Sequence, residues 1–186
     1  MAGRGRWGGH SEPNDSGFPA VPVDTVEAMS GFELEAGARL ALDVAEGMAA
    51  AMGDERCGTE HLLFGIVVTS RPDMENLTEL FALDKSRVER AVAVLRHEWC
   101  VPSGRPVPDP PLSTRAELAL YAKPASGESL GPFDVLVGCL SDPRSGASSV
   151  LRHLGVRLGE VRRLAEIGAA VATLFPRPPG GAGTRY

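Results

Sequence analysis

Cysteine is scarce in this sequence, and so are the other features of secreted, membrane-spanning or metal-binding chains. Three cysteines (Cys57, Cys100 and Cys139) lie about 40 residues apart in a chain of 186 residues, with no Cys-x-x-Cys pair. An odd, dispersed set of this kind does not predict a disulfide framework or a zinc site and is typical of a reducing cytosol. No apolar run reaches the ~18 residues of a membrane helix, and no apolar core of a secretory signal follows the first arginines. We therefore expect a cytoplasmic protein with no membrane partner.

Positive charge and aromatic rings are also few. The chain has 19 Lys and Arg against 24 Asp and Glu, a net charge of −5, and 10 aromatic residues. Nucleic-acid binding normally needs a basic stripe or stacking rings, so we expect no nucleic-acid partner. The charge is unevenly divided, because residues 32–100 carry a net −6 and residues 112–173 a net +1. This asymmetry indicates either two surfaces with different partners or drift on solvated faces.

Patterns typical of catalysis or cofactor binding are missing as well. No Gly-x-x-x-x-Gly-Lys-[Ser/Thr] loop is present to hold nucleotide phosphates, and His97-Glu98 lacks the second histidine of a zinc helix. Ser148 and Ser149 do not lie in a Gly-x-Ser-x-Gly turn. His61 is expected to be a structural hydrogen-bonding residue. The sequence therefore predicts a protein that is not an enzyme and has no metal or cofactor.

Glycine and proline, in contrast, are abundant and clustered. The chain contains 22 Gly and 15 Pro, and more than half of them fall in residues 1–31, 101–111 and 174–186. Such composition disfavours helices and packed cores. We expect a disordered head over 1–31, an extended Pro-rich linker over 101–111 and a disordered tail over 174–186. Two foldable segments, 32–100 and 112–173, remain between them.

The apolar residues of the first foldable segment recur at helical spacing. They predict four helices: one over 33–52 that Gly53 ends, a buried one over 59–69, a short one over 73–82, and one over 84–98 with Asp84 as N-cap. No segment alternates with period two, so we expect almost no strand.

The second foldable segment repeats the first at offsets of 73 to 78 residues. Residues 115–120 echo 37–42, residues 131–140 echo 58–67, and residues 149–164 echo 76–91. The repeat predicts an all-α fold of two pseudo-symmetric four-helix repeats. Pro124 should end the first helix of the second repeat at or before Lys123. The helices 59–69 and 132–141 should lie at the centre, with Leu63, Ile66, Leu136 and Leu140 inside.

Residues 58–67, Gly-Thr-Glu-His-Leu-Leu-Phe-Gly-Ile-Val, closely resemble the signature of the Clp N-terminal domain. Residues 151–161 resemble the Leu-Gly-Val block that closes each repeat of that family, and the resemblance spans about 32–170. This family is the double four-helix module at the front of the ClpA, ClpB and ClpC unfoldase chaperones. Because the ATPase motifs are missing, the chain looks like a free-standing double Clp N-domain protein.

The resemblance implies a non-catalytic binding or adaptor module. Its partners would be Clp ATPase or Clp protease subunits, or the peptides and small molecules that bind Clp N-domains. Relatives of this kind include plastid accessory proteins that dock on the Clp protease core and bacterial decoy-like proteins. The alternative is an enzyme or accessory subunit of a biosynthetic pathway that reuses the fold, since fold does not fix function.

Thr59, Glu60 and Glu35 are the candidate binding residues, with Thr59 placed as the N-cap and Glu60 as the first helical residue of the second helix. In the ClpC branch the matching glutamate pairs with the guanidinium of phosphoarginine, so the resemblance implies that the first repeat could keep such a site. Glu35 stands where the family has a contributing threonine, and its carboxylate would repel a phosphate. In the second repeat Phe133 replaces the glutamate, so we expect that site to be lost, although Ser113 stands at its threonine position. The alternative for Thr59 and Glu60 is plain helix capping.

Overall fold

The structure is a computed structural model that describes residues 33–69, 72–99, 110–121 and 129–174. The predicted head over 1–31, most of the predicted linker over 101–111 and all but the first residue of the predicted tail lie outside these residues. Within the described residues the chain is almost entirely helical, as the sequence predicted.

Eight helices and two very short strands follow one another along the described chain. The helices of the first repeat are α1 (Ala36–Met52), α2 (Thr59–Thr69), α3 (Pro72–Leu80) and α4 (Lys85–Trp99). Those of the second repeat are α5 (Thr114–Leu120), α6 (Pro132–Cys139), α7 (Gly146–His153) and α8 (Leu158–Leu174). The strands β1 (Glu33–Leu34) and β2 (Ser129–Leu130) immediately precede α1 and α6.

The helix ends follow the local sequence signals. Gly53 ends α1 in the left-handed conformation, with φ of 69°, which glycine adopts without steric cost. Asp84 precedes α4, and its carboxylate accepts a hydrogen bond from the Arg87 amide at 2.9 Å. In the second repeat α5 ends at Leu120, before Lys123, as expected from Pro124. These three terminal signals are therefore confirmed.

The short strands show how the two repeats are arranged. Strand β1 pairs in parallel with β2, placing Leu34 opposite Leu130, and a single bridge pairs Cys57 with Leu112. Each pairing joins the segment before the first helix of one repeat to the segment before the second helix of the other. Leu112 follows Leu34 by 78 residues and Leu130 follows Cys57 by 73, the offsets of the sequence repeat. The two pairings are therefore copies of each other under a pseudo-two-fold relation.

A glycine in each repeat allows the first two helices to cross in contact. A Cβ atom added at Gly65 of α2 would overlap the carbonyl oxygen of Ala41 in α1. A Cβ atom added at Gly138 of α6 would overlap the carbonyl oxygen of Ala119 in α5. Because these residue pairs are related by the repeat offsets, the same crossing is built twice.

The central helices α2 and α6 are buried and contact each other. Leu63, Ile66 and Leu136 are each 1% exposed and Leu140 is 5% exposed, which confirms the predicted interior. Their side chains belong to one continuous hydrophobic cluster that includes residues of both repeats. The exact limits of the two segments as separate units stay a prediction.

We predict that Gly65→Ala destabilises the fold strongly, because the new methyl group meets backbone and not a movable side chain. The loss should be about 1–3 kcal/mol, the usual cost of overpacking, and urea denaturation followed by circular dichroism measures it. Gly47→Ala in α1 is the matched control, since a Cβ there meets no atom within 4 Å and should stabilise the helix by ~0.5–1 kcal/mol. Equal effects of the two substitutions would contradict the proposed crossing.

Candidate functional site

The start of α2 is organised by Gly58. The Gly58 carbonyl accepts the first helical hydrogen bonds, from the amides of His61 at 3.1 Å and Leu62 at 3.2 Å. Thr59 is therefore the first helical residue and Glu60 the second. The prediction that Thr59 is the N-cap of its own helix is wrong, because glycine takes that position and the threonine side chain is used elsewhere.

The Thr59 hydroxyl caps a helix of the other repeat. It accepts a hydrogen bond from the Ala147 amide of α7 at 3.2 Å, across 88 residues of sequence. The N-cap of α7, Ser145, accepts the Ser148 amide at 3.1 Å. Two amides at the start of α7 are thus satisfied from different parts of the chain. This hydrogen bond is buried, and Thr59 is 3% exposed.

The Glu60 carboxylate lies between the starts of two helices. Its oxygens occupy the space that a Cβ atom would need at Gly58, before α2, and at Gly146, the first residue of α7. Helix N-termini carry a partial positive charge, so the carboxylate lies where two helices attract negative groups. The side chain is 27% exposed, which leaves part of the carboxylate open to solvent.

A buried chain of polar contacts supports the start of α2 from behind. The Gly58 amide donates to Nδ1 of His61 at 2.9 Å, so the ring proton is assigned to Nε2, which donates to Asp54 at 3.1 Å. Arg96 lies 2.6 Å from the other Asp54 oxygen as an ion pair without good hydrogen-bond alignment. These contacts confirm His61 as a structural hydrogen-bonding residue.

The charge on Asp54 is stabilised by these neighbours. Burial by itself would raise the pKa of Asp54. The hydrogen bond from His61 and the charge of Arg96 outweigh burial, so the pKa lies below the ordinary value for aspartate. The carboxylate is therefore ionised at neutral pH and holds the imidazole in one orientation.

Glu35 contacts the second repeat and not the start of α2. One of its oxygens accepts a hydrogen bond from the Ser129 hydroxyl at 3.3 Å, and the other lies beside Gly131, the N-cap of α6. The expectation that Glu35 would lie with Thr59 and Glu60 came from its alignment with the threonine that contributes to the site in the Clp N-domain family. The crossed strand pairings explain the difference, because they bring the start of each first helix to the second helix of the other repeat.

Ser113 is the residue that the fold brings to the first-repeat site. Its amide donates to the Cys57 carbonyl at 2.8 Å, and its hydroxyl caps α5 by accepting the Ala116 amide at 3.2 Å.

In the second repeat Asp134 accepts the Gly131 amide at 3.0 Å, the same contact that His61 makes with Gly58. Phe133, at the position of Glu60, packs against Gly168 of α8 and is 9% exposed.

An open depression of about 230 Å³ lies beside Thr59. Arg115 and Asp142 line it and form an ion pair at 2.9 Å, with each side chain about half exposed. Leu118 contributes an apolar wall. The Thr59 hydroxyl accepts from Ala147, and its own proton has no acceptor among the described residues. The depression therefore offers one positive group, one negative group and one hydroxyl donor. The sequence did not predict a role for Arg115 and Asp142, because neither residue belongs to a motif.

The two described cysteines are free and buried. Burial, together with the nearby carboxylate of Glu60, raises the pKa of both the Cys57 and Cys139 thiols, so both are uncharged at neutral pH. Within the described ranges no three His, Cys, Asp or Glu side chains cluster in a way that could hold a metal ion. No helix in those ranges combines the length and apolar character needed to cross a membrane.

The described structure has the fold of the Clp N-terminal domain. It is similar to the crystal structure of the N-terminal domain of the caseinolytic protease associated chaperone ClpD from Arabidopsis thaliana, with a TM-score of 0.60 and 20% sequence identity. The match covers 72% of this chain and 92% of that one. The sequence itself matches no family profile and no curated protein. The resemblance seen in residues 58–67 and 151–161 is thus confirmed at the level of the fold.

We predict that Thr59→Val destabilises the protein by about 1–3 kcal/mol, because the nearly isosteric valine leaves the buried Ala147 amide without an acceptor. Thermal or urea unfolding measures the loss. Thr69→Val is the control at the other end of α2. The Thr69 hydroxyl donates to the Gly65 carbonyl of its own helix, a bond that adds little stability. A Thr59→Val protein as stable as Thr69→Val would show that the contact between the repeats contributes nothing.

Proposed function

We propose that this protein is a non-catalytic binding module that docks on a Clp-type chaperone–protease partner or binds the peptides and small molecules directed to one. The observation that carries the proposal is the fold, a double four-helix module shared with the N-terminal domain of a caseinolytic protease associated chaperone. Adaptor activity in proteolysis within the cytoplasm is part of the same proposal.

The state of the reactive side chains supports a binding role. The buried imidazole of His61 has both ring nitrogens in hydrogen bonds, and the thiols of Cys57 and Cys139 are buried and protonated. A general base needs a nitrogen or carboxylate within reach of substrate, and a thiol nucleophile needs a lowered pKa. These groups stabilise the start of α2 and the core instead.

The binding surface in this proposal is the start of α2 with the adjacent depression. Glu60 presents a partly exposed carboxylate, and the depression adds the Arg115 guanidinium and the Thr59 hydroxyl proton. A ligand with both signs of charge matches this arrangement. For phosphoarginine, the guanidinium would pair with Glu60 while the phosphate would contact Arg115 and Thr59. The second repeat lacks this combination, because Phe133 is packed against α8.

We predict that a tagged copy of the full chain, purified from its native cells, carries Clp chaperone or protease subunits that mass spectrometry identifies. Arg115→Glu should reduce their recovery several-fold, because it reverses a charge in the depression. Arg152→Glu, on the exposed face of α7, is the control and should leave recovery unchanged. Purification without Clp subunits contradicts the docking proposal, and a bound metabolite found in their place would favour the biosynthetic alternative.

We also predict that phosphoarginine binds weakly to the first repeat and that Glu60→Ala lowers the affinity by roughly one to two decades. A charge-assisted hydrogen bond contributes about 1.5–3 kcal/mol, which corresponds to that factor. Calorimetric titration measures it.

Glu160→Ala is the control for the Glu60 variant, because it also removes a carboxylate from the first turn of a helix. Phe133→Ala is unsuitable, since that ring is buried and its loss would disturb the core. The absence of heat with the unaltered protein at millimolar phosphoarginine would end the tag-binding proposal and leave the docking proposal to its own test.

A further inference from the structure

The last helix, α8, exposes an apolar stripe on the side that faces away from the core. Ile167, Val171 and Leu174 are 50%, 49% and 73% exposed, and we call these three residues the α8 stripe. The buried face of the same helix carries Val161, Ala165 and Ala169. The stripe residues are spaced by four and three positions, so they form one continuous ridge along the last two turns.

This arrangement differs from that of an ordinary surface helix. Such a helix has one apolar face toward the core and polar residues outside, whereas a helix that is apolar all round is normally covered on all sides. From Ile167 onward α8 has no charged residue, and its sequence is Ile-Gly-Ala-Ala-Val-Ala-Thr-Leu. The first turns of the same helix carry Arg162, Arg163 and Glu166 on the outside. The stripe therefore has the composition of an interface.

The N-terminal part of the chain enters the described structure within reach of α8. Leu34 pairs with Leu130, so the two residues lie one strand spacing apart, ~4.8 Å. Phe133 follows Leu130 by three residues, a distance of at most ~10 Å along the chain. The Phe133 ring in turn lies 2.6 Å from where a Cβ of Gly168 would be. Leu34 is thus within roughly 20 Å of α8, and a segment of twelve residues spans up to ~40 Å.

The residues just before Glu33 have a suitable pattern. Residues 21–32 contain Val23, Val26 and Met29 at a spacing of three, which would place them on one side of a helical turn. The charged residues of this segment, Asp24 and Glu27, are both acidic. Arg163 lies four residues before Ile167 and has no ion pair among the described residues. The apolar spacing of residues 21–32, the reach of this segment and its acidic charge therefore all match the α8 stripe.

We propose that residues 21–32 of the same chain cover the α8 stripe, with Val23, Val26 and Met29 against Ile167, Val171 and Leu174. The covalent connection favours this occupant, because a short tether gives an effective concentration in the millimolar range without any partner. Covering the stripe removes an exposed apolar ridge from the surface of the second repeat. This interaction is independent of the surface proposed around Thr59 and Glu60.

Hydrogen–deuterium exchange of the full chain tests the proposal. In the unaltered protein the amides of residues 21–32 should exchange at least about tenfold more slowly than in the double variant Ile167→Ser with Leu174→Ser. Val94→Ser is the matched control, since Val94 is 47% exposed on α4 and lies outside the stripe. The control protein should exchange like the unaltered one. All the altered side chains are exposed, so circular dichroism should show the same helical content in the three proteins.

A second double variant tests the same contact by altering residues 21–32 and not α8. Val26→Asp with Met29→Asp leaves the described core untouched and should raise exchange in residues 167–174 several-fold. Equal exchange of residues 21–32 in the unaltered protein, the α8 variant and the Val94 control would overturn the proposal. A second result would also overturn it. If residues 167–174 exchange slowly only at high protein concentration, and sedimentation shows a dimer that dissociates on dilution, a second copy of the chain covers the stripe.

Discussion

The close crossing of the first two helices in each repeat is the constraint on which the rest of the structure depends. At Gly65 and again at Gly138 the backbone of one helix lies against a carbonyl oxygen of the other, at Ala41 and Ala119. A larger side chain would separate the helices, and the central helices α2 and α6 could not both lie in the shared core. Since packed interiors tolerate little change in volume, this contact fixes how closely the first two helices of each repeat approach.

The boundary between the repeats is polar as well as apolar. The Thr59 hydroxyl caps α7, and Arg87 of α4 donates to the Leu154 carbonyl at the end of α7 at 3.1 Å. The same helix is thus held at both ends by side chains of the first repeat. Because the amides and carbonyls at helix ends need partners, these contacts orient α7 as well as stabilise it. The start of α2, where the proposed binding residues lie, is positioned by the same contacts.

The two repeats keep the same backbone and have diverged in the chemistry of one turn. His61 and Asp134 make equivalent hydrogen bonds to the N-cap amides of α2 and α6. At the two positions before these residues the repeats differ: Thr59 and Glu60 of the first repeat correspond to Pro132 and Phe133 of the second. In the second repeat this turn is apolar and packs against α8, whereas in the first it carries a carboxylate that is partly open to solvent. The proposed binding function therefore rests on the first repeat.

The sequence by itself determined the helices, their order and their duplication. Apolar spacing, the Gly53 stop, the Asp84 cap and the 73- and 78-residue offsets are local or repeated signals, and the helices and their ends followed them closely. It also marked Thr59 and Glu60 as candidate binding residues, because the Gly-Thr-Glu-His stretch carries the resemblance, and their binding role stays a prediction.

The partners of these residues were decided by the tertiary structure. Glu35 lies beside Gly131, and Ser113 lies beside Cys57, since the strand pairings cross between the repeats. Thr59 caps α7, 88 residues away, and not its own helix. A hydroxyl or a carboxylate can satisfy any nearby amide, so the residue type predicts a hydrogen bond but not its partner. Only the folded arrangement of the two repeats brings one particular amide within reach.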